Sequence, residues 1–164
     1  MQSRSLDVDD LDVICRQREQ MFREAGRDDA TLALMTDSFR LWLKPRLLDQ
    51  RYFGFLLTRQ EQVIAGIGLM AIDWPPHPSH PMQDQRGYVL NVYVETAYRR
   101  QGIAQQLMQL AEEEFARRGL QFAILHATQM GRPLYEGLGW NATTEMAKTL
   151  PATPASTNNK GQPA

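Results

Sequence analysis

Apolar residues along the chain fall first into two stretches of helical period. Leu11, Ile14, Met21, Phe22 and Ala25 recur at helical spacing; Asp7 is placed as an N-cap, Asp9 and Asp10 suit the positive end of the first turn, and Gly26 follows as a stop. A second helix is expected from Asp28 or Asp29, burying Leu32, Met35, Phe39, Trp42 and Leu43, with Pro45 bending or ending it. From Tyr52 the period shortens. YFGFLLT and VIAGIGLMAI, joined by the polar RQEQ, read as two antiparallel strands and a tight turn. Gly66 and Gly68 fall on one face of the second strand, where they weaken it unless something packs closely against them.

The prolines at 75, 76, 78 and 81 mark residues 73–87 as a loop. YVLNVYV, residues 88–94, is the next strand. A helix over 103–118 presents Ile103, Leu107, Leu110, Ala111 and Phe115 on one face and closes at Gly119. FAILHA, residues 122–127, lacks alternation and reads as a strand buried on both faces. A short helix over 132–138 and a last strand over 142–149 complete a domain of residues 1–149. Residues 150–164 are poor in apolar groups, and a disordered C-terminal tail is expected there.

Composition narrows the class of protein. The 164 residues suffice for one domain with a full core, and 43% are hydrophobic against 23% charged. A net charge of −1 provides no general basic field for nucleic acid or an anionic membrane. The lone cysteine, Cys15, permits no internal disulfide, and no run approaches the ~18 apolar residues of a membrane helix. The N-terminus lacks the apolar run of a secretory signal, so a cytoplasmic location is expected.

The informative stretch is NVYVETAYRRQGIAQQLM, residues 91–108, where a hydrophobic strand meets a helix beginning at a glycine. First-turn amides of a helix have no internal acceptors, and the peptide dipoles add partial positive charge there. A diphosphate fits such a turn. Gly102 and the small Ala104 would let it approach the backbone, and Arg99 and Arg100 add charge. Taken alone, the turn reads equally well as an ordinary helix start with exposed arginines. Neither G-x-G-x-x-G nor G-x-x-x-x-G-K-S/T occurs, so dinucleotide and P-loop cradles are excluded.

R-R-Q-G-I-A resembles the Q/R-x-x-G-x-G/A signature of the GNAT N-acetyltransferase superfamily, at Arg99, Gly102 and Ala104. LNVYVETAYRRQGIA resembles that family's acyl-CoA strand and turn, and GRPLYEGLGW, residues 131–140, its downstream helix. Two departures stand out: Thr96 where many relatives carry proline, and Ala rather than Gly at 104. The resemblance implies an α/β (α+β) fold, with a mixed, mostly antiparallel central sheet, helices on both faces and two strands, 88–94 and 122–127, splaying apart. It implies acetyl-CoA as acyl donor without a metal, held by Val92, Tyr93, Val94, Arg99, Arg100, Gln101, Gly102, Ile103 and Ala104. By the same resemblance, Tyr135 is the general acid and the Val92 N–H the oxyanion donor.

For the acceptor side the residues leave alternatives open. Acyl transfer to an amine needs the amine neutral when it attacks. Glu95, at the end of the strand, and His126, on the following strand, are the candidate bases, each readable also as solvated or packed. Asn91 is a candidate for bonding the acceptor or a bulged backbone. His77, His80 and Asp84 have the residue types of a metal site, but the prolines suit fixed coordination poorly, and the loop reads better as a lid. Cys15 reads as a packed small residue. The function expected is acetyl transfer to a small-molecule or peptide amine, with homodimer formation through a strand edge as an expectation. The rivals are another acyl-CoA or acceptor, or a sensor domain that binds acyl-CoA without turnover.

Overall fold

The structure, a computed structural model, describes residues 1–150. The expected tail begins at the last of these, Leu150, and otherwise lies outside the described residues. Five strands form one sheet in the order β1-β2-β3-β4-β5: Gln2–Ser5, Phe53–Arg59, Gln62–Asp73, Gln85–Val94 and Ala123–Leu125. All neighbours are antiparallel except β4 and β5. Helices α1 (Leu11–Glu24) and α2 (Asp29–Leu48) cover one face with a core of Ile14, Phe39, Leu43, Tyr52 and Leu56. Helix α3 (Ile103–Arg117) covers the other through Leu107, Met108, Ala111 and Phe115, and Tyr135 and Leu138 pack there from the region of α4 (Arg132–Gly137). The expected mixed sheet with helices on both faces is therefore present.

The local devices are those the residue types require. Asp7 accepts from the Asp9 amide and forms a reciprocal cap with Asp10 before α1, while Asp28 accepts from the Thr31 amide at the start of α2. The β2–β3 hairpin turns through Gln60 and Glu61, both with positive φ, as a two-residue turn matched to strand twist demands. Gly66 and Gly68 do face close neighbours. A Cβ on Gly66 would run into Gln17 Oε1, and one on Gly68 into the Tyr52 hydroxyl.

Five expectations need correction. The strand β1 was not expected, because QSRS is polar and exposed throughout and offers no hydrophobic period. Helix α2 runs through Pro45, whose missing N–H falls in the last turn, with its would-be acceptor on the exposed Leu41. The loop is shorter than 73–87, since β3 extends to Asp73 and pairs it with Gln85; the prolines lie between the paired strand ends. β5 is three half-buried residues rather than a strand buried on both faces over 122–127. Residues 142–149 form no strand: the segment has no apolar alternation, and Met146 is 94% exposed, so no buried face repays ordering it against β5.

Candidate active site

Between Gly66 and Gly68 the β3–β4 register slips: Gly66 stands opposite Tyr93 but Gly68 opposite Leu90. Asn91 and Val92 therefore face the single residue Ile67, which makes Asn91 the extra residue of a β-bulge, with φ at 56°. The bulge changes which side chains point where. Leu90 packs toward α1 and α2 and Asn91 bonds on that same side, while Val89, Val92 and Val94 pack toward α3. On the other edge of β4, pairing with β5 stops at Val89 and Leu125. The two strands part just before the bulge.

From there the chain passes a 3-10 turn at Thr96–Tyr98 and enters α3. Arg100 and Gly102 both take positive φ, 63° and 76°, and Gly102 caps the helix without a side-chain acceptor. None of the backbone N–H groups from Arg100 to Gln105 meets an acceptor among the described residues. A Cβ on Gly102 would have no atom of the described residues beyond its chain neighbours within 4 Å, so the space at the head of the helix is open there. Unclaimed donors, helix polarity and open space together fit a diphosphate.

Arg99 and Arg100 divide in a way their adjacency in sequence conceals. Arg99 donates from Nε to the Val94 carbonyl at 2.9 Å and grips the Glu24 carboxylate with Nη2 at 2.8 and 2.9 Å, so its side chain fastens the turn to α1 instead of reaching into the cradle. Arg100 is exposed and has no carboxylate partner among the described residues. Gln101 is exposed, Ile103 is buried in the core and Ala104 lies half-buried in the first turn of α3.

Tyr135 packs its ring against the core on the α3 side, and its hydroxyl has no hydrogen-bond partner among the described residues. Burial alone pushes its phenol above the ordinary tyrosine value. Glu95 is held by Arg16 at 2.8 Å, which with Arg99–Glu24 makes a second ion pair between α1 and the turn. His126 follows β5 with its side chain 59% exposed, edge-on to Tyr88 and 3.6 Å from Glu145. Cys15 is buried, and burial raises its thiol pKa.

Among the described residues no group of three potential metal ligands gathers, in the proline-rich loop or elsewhere. His80 is fully buried. It accepts from Arg86 Nε at 2.7 Å, and its other ring nitrogen lies 3.1 Å from the Gln83 carbonyl, fixing an Nδ1–H tautomer. Arg86 sits between the rings of Trp74 and Phe122, so loop and strand are stapled together.

Sequence reasoning missed a buried polar cluster on the α1–α2 face. Asn91 Nδ2 donates to the Tyr52 hydroxyl at 2.8 Å, and Arg18 Nη1 donates to Asn91 Oδ1 at 2.5 Å. Gln17 lies beside Gly66 with its amide nitrogen unpartnered. A signal for it existed: Gln17 and Arg18 occupy the phase of the apolar stripe between Ile14 and Met21–Phe22, where a charged residue is out of place.

The chain belongs to the GNAT acetyltransferase family, whose model, described as Acetyltransferase (GNAT) family, matches residues 16–140. It is similar to a GCN5-related N-acetyltransferase from Ralstonia eutropha JMP134, at 59% identity and a TM-score of 0.89, covering 91% of this chain and 97% of that one. A predicted acetyltransferase from Clostridium acetobutylicum, solved with acetyl-CoA, superposes at a TM-score of 0.81 with 22% identity, covering 91% and 95%. An aminoglycoside antibiotic 6′-N-acetyltransferase from Acinetobacter haemolyticus does so at 0.68 with 15% identity, covering 93% and 99%. At the latter two identities the likeness is one of fold. Among curated proteins no sequence match was found. No helix among the described residues is long and apolar enough to cross a membrane.

Proposed function

We propose that this protein transfers an acetyl group from acetyl-CoA to a primary amine, by direct attack in a ternary complex. The observation that carries this reading is the run of unclaimed amides from Arg100 to Gln105, opening on Gly102 near the point where β4 and β5 part. The residues present suit the donor: the amides for its diphosphate, and the Val92, Tyr93 and Val94 backbone beside the strand gap for its extended arm. The Clostridium acetobutylicum protein of the same fold was solved with acetyl-CoA, which supports the choice of donor.

Bound acetyl-CoA supplies the acyl group as a thioester. Tyr135 holds a proton at Oη throughout the neutral range because burial disfavours its phenolate, and it gives that proton to the departing sulfur. The Val92 N–H donates to the acyl oxygen as charge gathers there. On the acceptor side an ammonium must first lose a proton. His126, beside Glu145, is the better suited base, because the Glu95 carboxylate is already engaged by Arg16. Cys15 takes no part, since a buried thiol held in its protonated form is no nucleophile.

The reading is tested by calorimetry with acetyl-CoA and by CoA release across a panel of amines. Tyr135→Phe should bind acetyl-CoA as wild type does while kcat falls about ten- to a thousandfold. An unchanged rate removes Tyr135 from the chemistry. Wild-type protein that binds no acetyl-CoA overturns the function itself. A sensor would bind acetyl-CoA without turning over any amine; the Tyr135 hydroxyl, free of hydrogen-bond partners among the described residues, favours the enzyme.

A further inference from the structure

Helix α1 carries three arginines that face different fates. Arg16 and Arg23 lie at the surface and each has a carboxylate, on Glu95 and on Glu19 and Asp29. Arg18, the more deeply placed, has none among the described residues. The carboxylates of α1 are all engaged elsewhere, Asp12 by Arg40, Glu19 by Arg23 and Thr36, Glu24 by Arg99. The Arg18 guanidinium instead lies between the faces of Phe22 and Phe39, 4.9 and 4.6 Å from the ring centroids, and is desolvated enough that its hold on its proton is weakened.

Its orientation is fixed. Asn91 gives its amide hydrogen to Tyr52, so its oxygen must face Arg18, and it takes Nη1. Gly68 is bare because the Tyr52 hydroxyl occupies the place of a Cβ. The opposite edge of the guanidinium is left over: Nε is buried without a partner, and Nη2 makes no hydrogen bond among the described residues. Nε is sealed from solvent as the side chains stand, so Nη2 is the nitrogen through which a carboxylate oxygen can meet this charge. A half-buried cation with no counter-ion among the described residues is costly to keep unless something supplies one. This edge belongs to a side chain bonded to the bulge residue, one position before Val92.

We propose that Arg18 binds the acceptor, and that the acceptor is therefore a small amine carrying a carboxylate. The proposal rests on the acyl-transferase reading above and narrows it: the carboxylate pairs with the unpartnered Nη2 of Arg18, and the amine is thereby held beside Val92. Neutral or polycationic amines have no such anchor and meet a partly desolvated positive charge.

The experiment compares amino acids with their own carboxamides, by acetyl-CoA-dependent CoA release, in wild type, Arg18→Gln and Arg18→Lys. The carboxamide's amine is the less basic and more of it is neutral, so amine supply works against the expected result. The carboxylate member should be preferred by about ten- to a hundredfold in kcat/KM, the worth of one charge-assisted pair. Arg18→Gln should abolish the preference through KM, and Arg18→Lys should retain part of it. Calorimetry with acetyl-CoA on each variant reports whether the protein is folded and the donor site intact, and an unfolded variant leaves the wild-type ratio as the deciding result. Should no pair turn over, thermal shifts with N-acetyl amino acids against their amides, in the presence of CoA, read the same preference. Acetyl-CoA binding without any carboxylate preference, in turnover or in binding, overturns this proposal and leaves the acyl-transferase reading standing. Failure to bind acetyl-CoA removes both.

Discussion

Replacing Gly102 with alanine separates what the backbone needs at this turn from what a ligand needs. Gly102 has φ at 76°, a conformation that costs an L-residue about 1–2 kcal/mol. The added methyl meets nothing, so no packing penalty joins the backbone term. In a protein of this length that is worth roughly 2–8 °C of melting temperature. Gly119, at the far end of α3, is the matched control: φ is 74° and its Cβ space is equally empty. Gly102→Ala and Gly119→Ala should therefore lose similar stability, measured by urea or thermal unfolding without ligand. Only the first places a methyl over the amides of Arg100 to Gln105. Losing one hydrogen bond to a charged phosphate is worth about 1.5–3 kcal/mol, so acetyl-CoA affinity should fall roughly ten- to a hundredfold. Calorimetry on the two variants decides it. Equal affinities would show that the diphosphate does not lie over Gly102, and the cradle argument would be wrong.

Three further outcomes concern the buried polar cluster. Tyr52→Phe leaves the Asn91 amide without its acceptor in the core and should cost about 1–3 kcal/mol in denaturant unfolding. Gly68→Ala should destabilise wild type more than it destabilises Tyr52→Phe, because that variant removes the hydroxyl the methyl meets first while the ring Cζ stays in its way, so the relief is partial; a double mutant that loses as much as the two single changes together would deny the hydroxyl contact. Burial also raises the Tyr52 phenol well above its unfolded value. The unfolded chain ionises this group from about pH 10 while the fold keeps it neutral, so stability present below that pH is lost as pH climbs toward the folded value. Urea midpoints from about pH 8 to about pH 11 should fall more steeply for wild type than for Tyr52→Phe, and parallel curves would refute the assignment.

Much of this was written locally. Strand, turn and helix at residues 88–118 are contiguous, and a glycine between them is a backbone requirement visible in the residue itself. The aspartate caps and the β2–β3 hairpin are local in the same way. The α3 stripe is equally local, since period and side-chain volume suffice to name Leu107 and Phe115 as core. By contrast β1 has no apolar residue to announce it and exists because β2 offers an edge, while 142–149 carries β-branched residues but finds no face to bury.

What only the tertiary structure decided is which polar groups meet. Arg18 and Asn91 are 73 residues apart, and Arg99 and Glu24 are 75 apart. Adjacent arginines at 99 and 100 look alike in sequence, yet one braces the turn and the other stays open. The bulge at Asn91 turns consecutive side chains onto one face, and no two-residue period foretells it. Hydrophobic burial is a sum over area and survives being read one residue at a time. A hydrogen bond needs a particular donor and acceptor within about 3 Å and in line, which depends on the placement of every element between them.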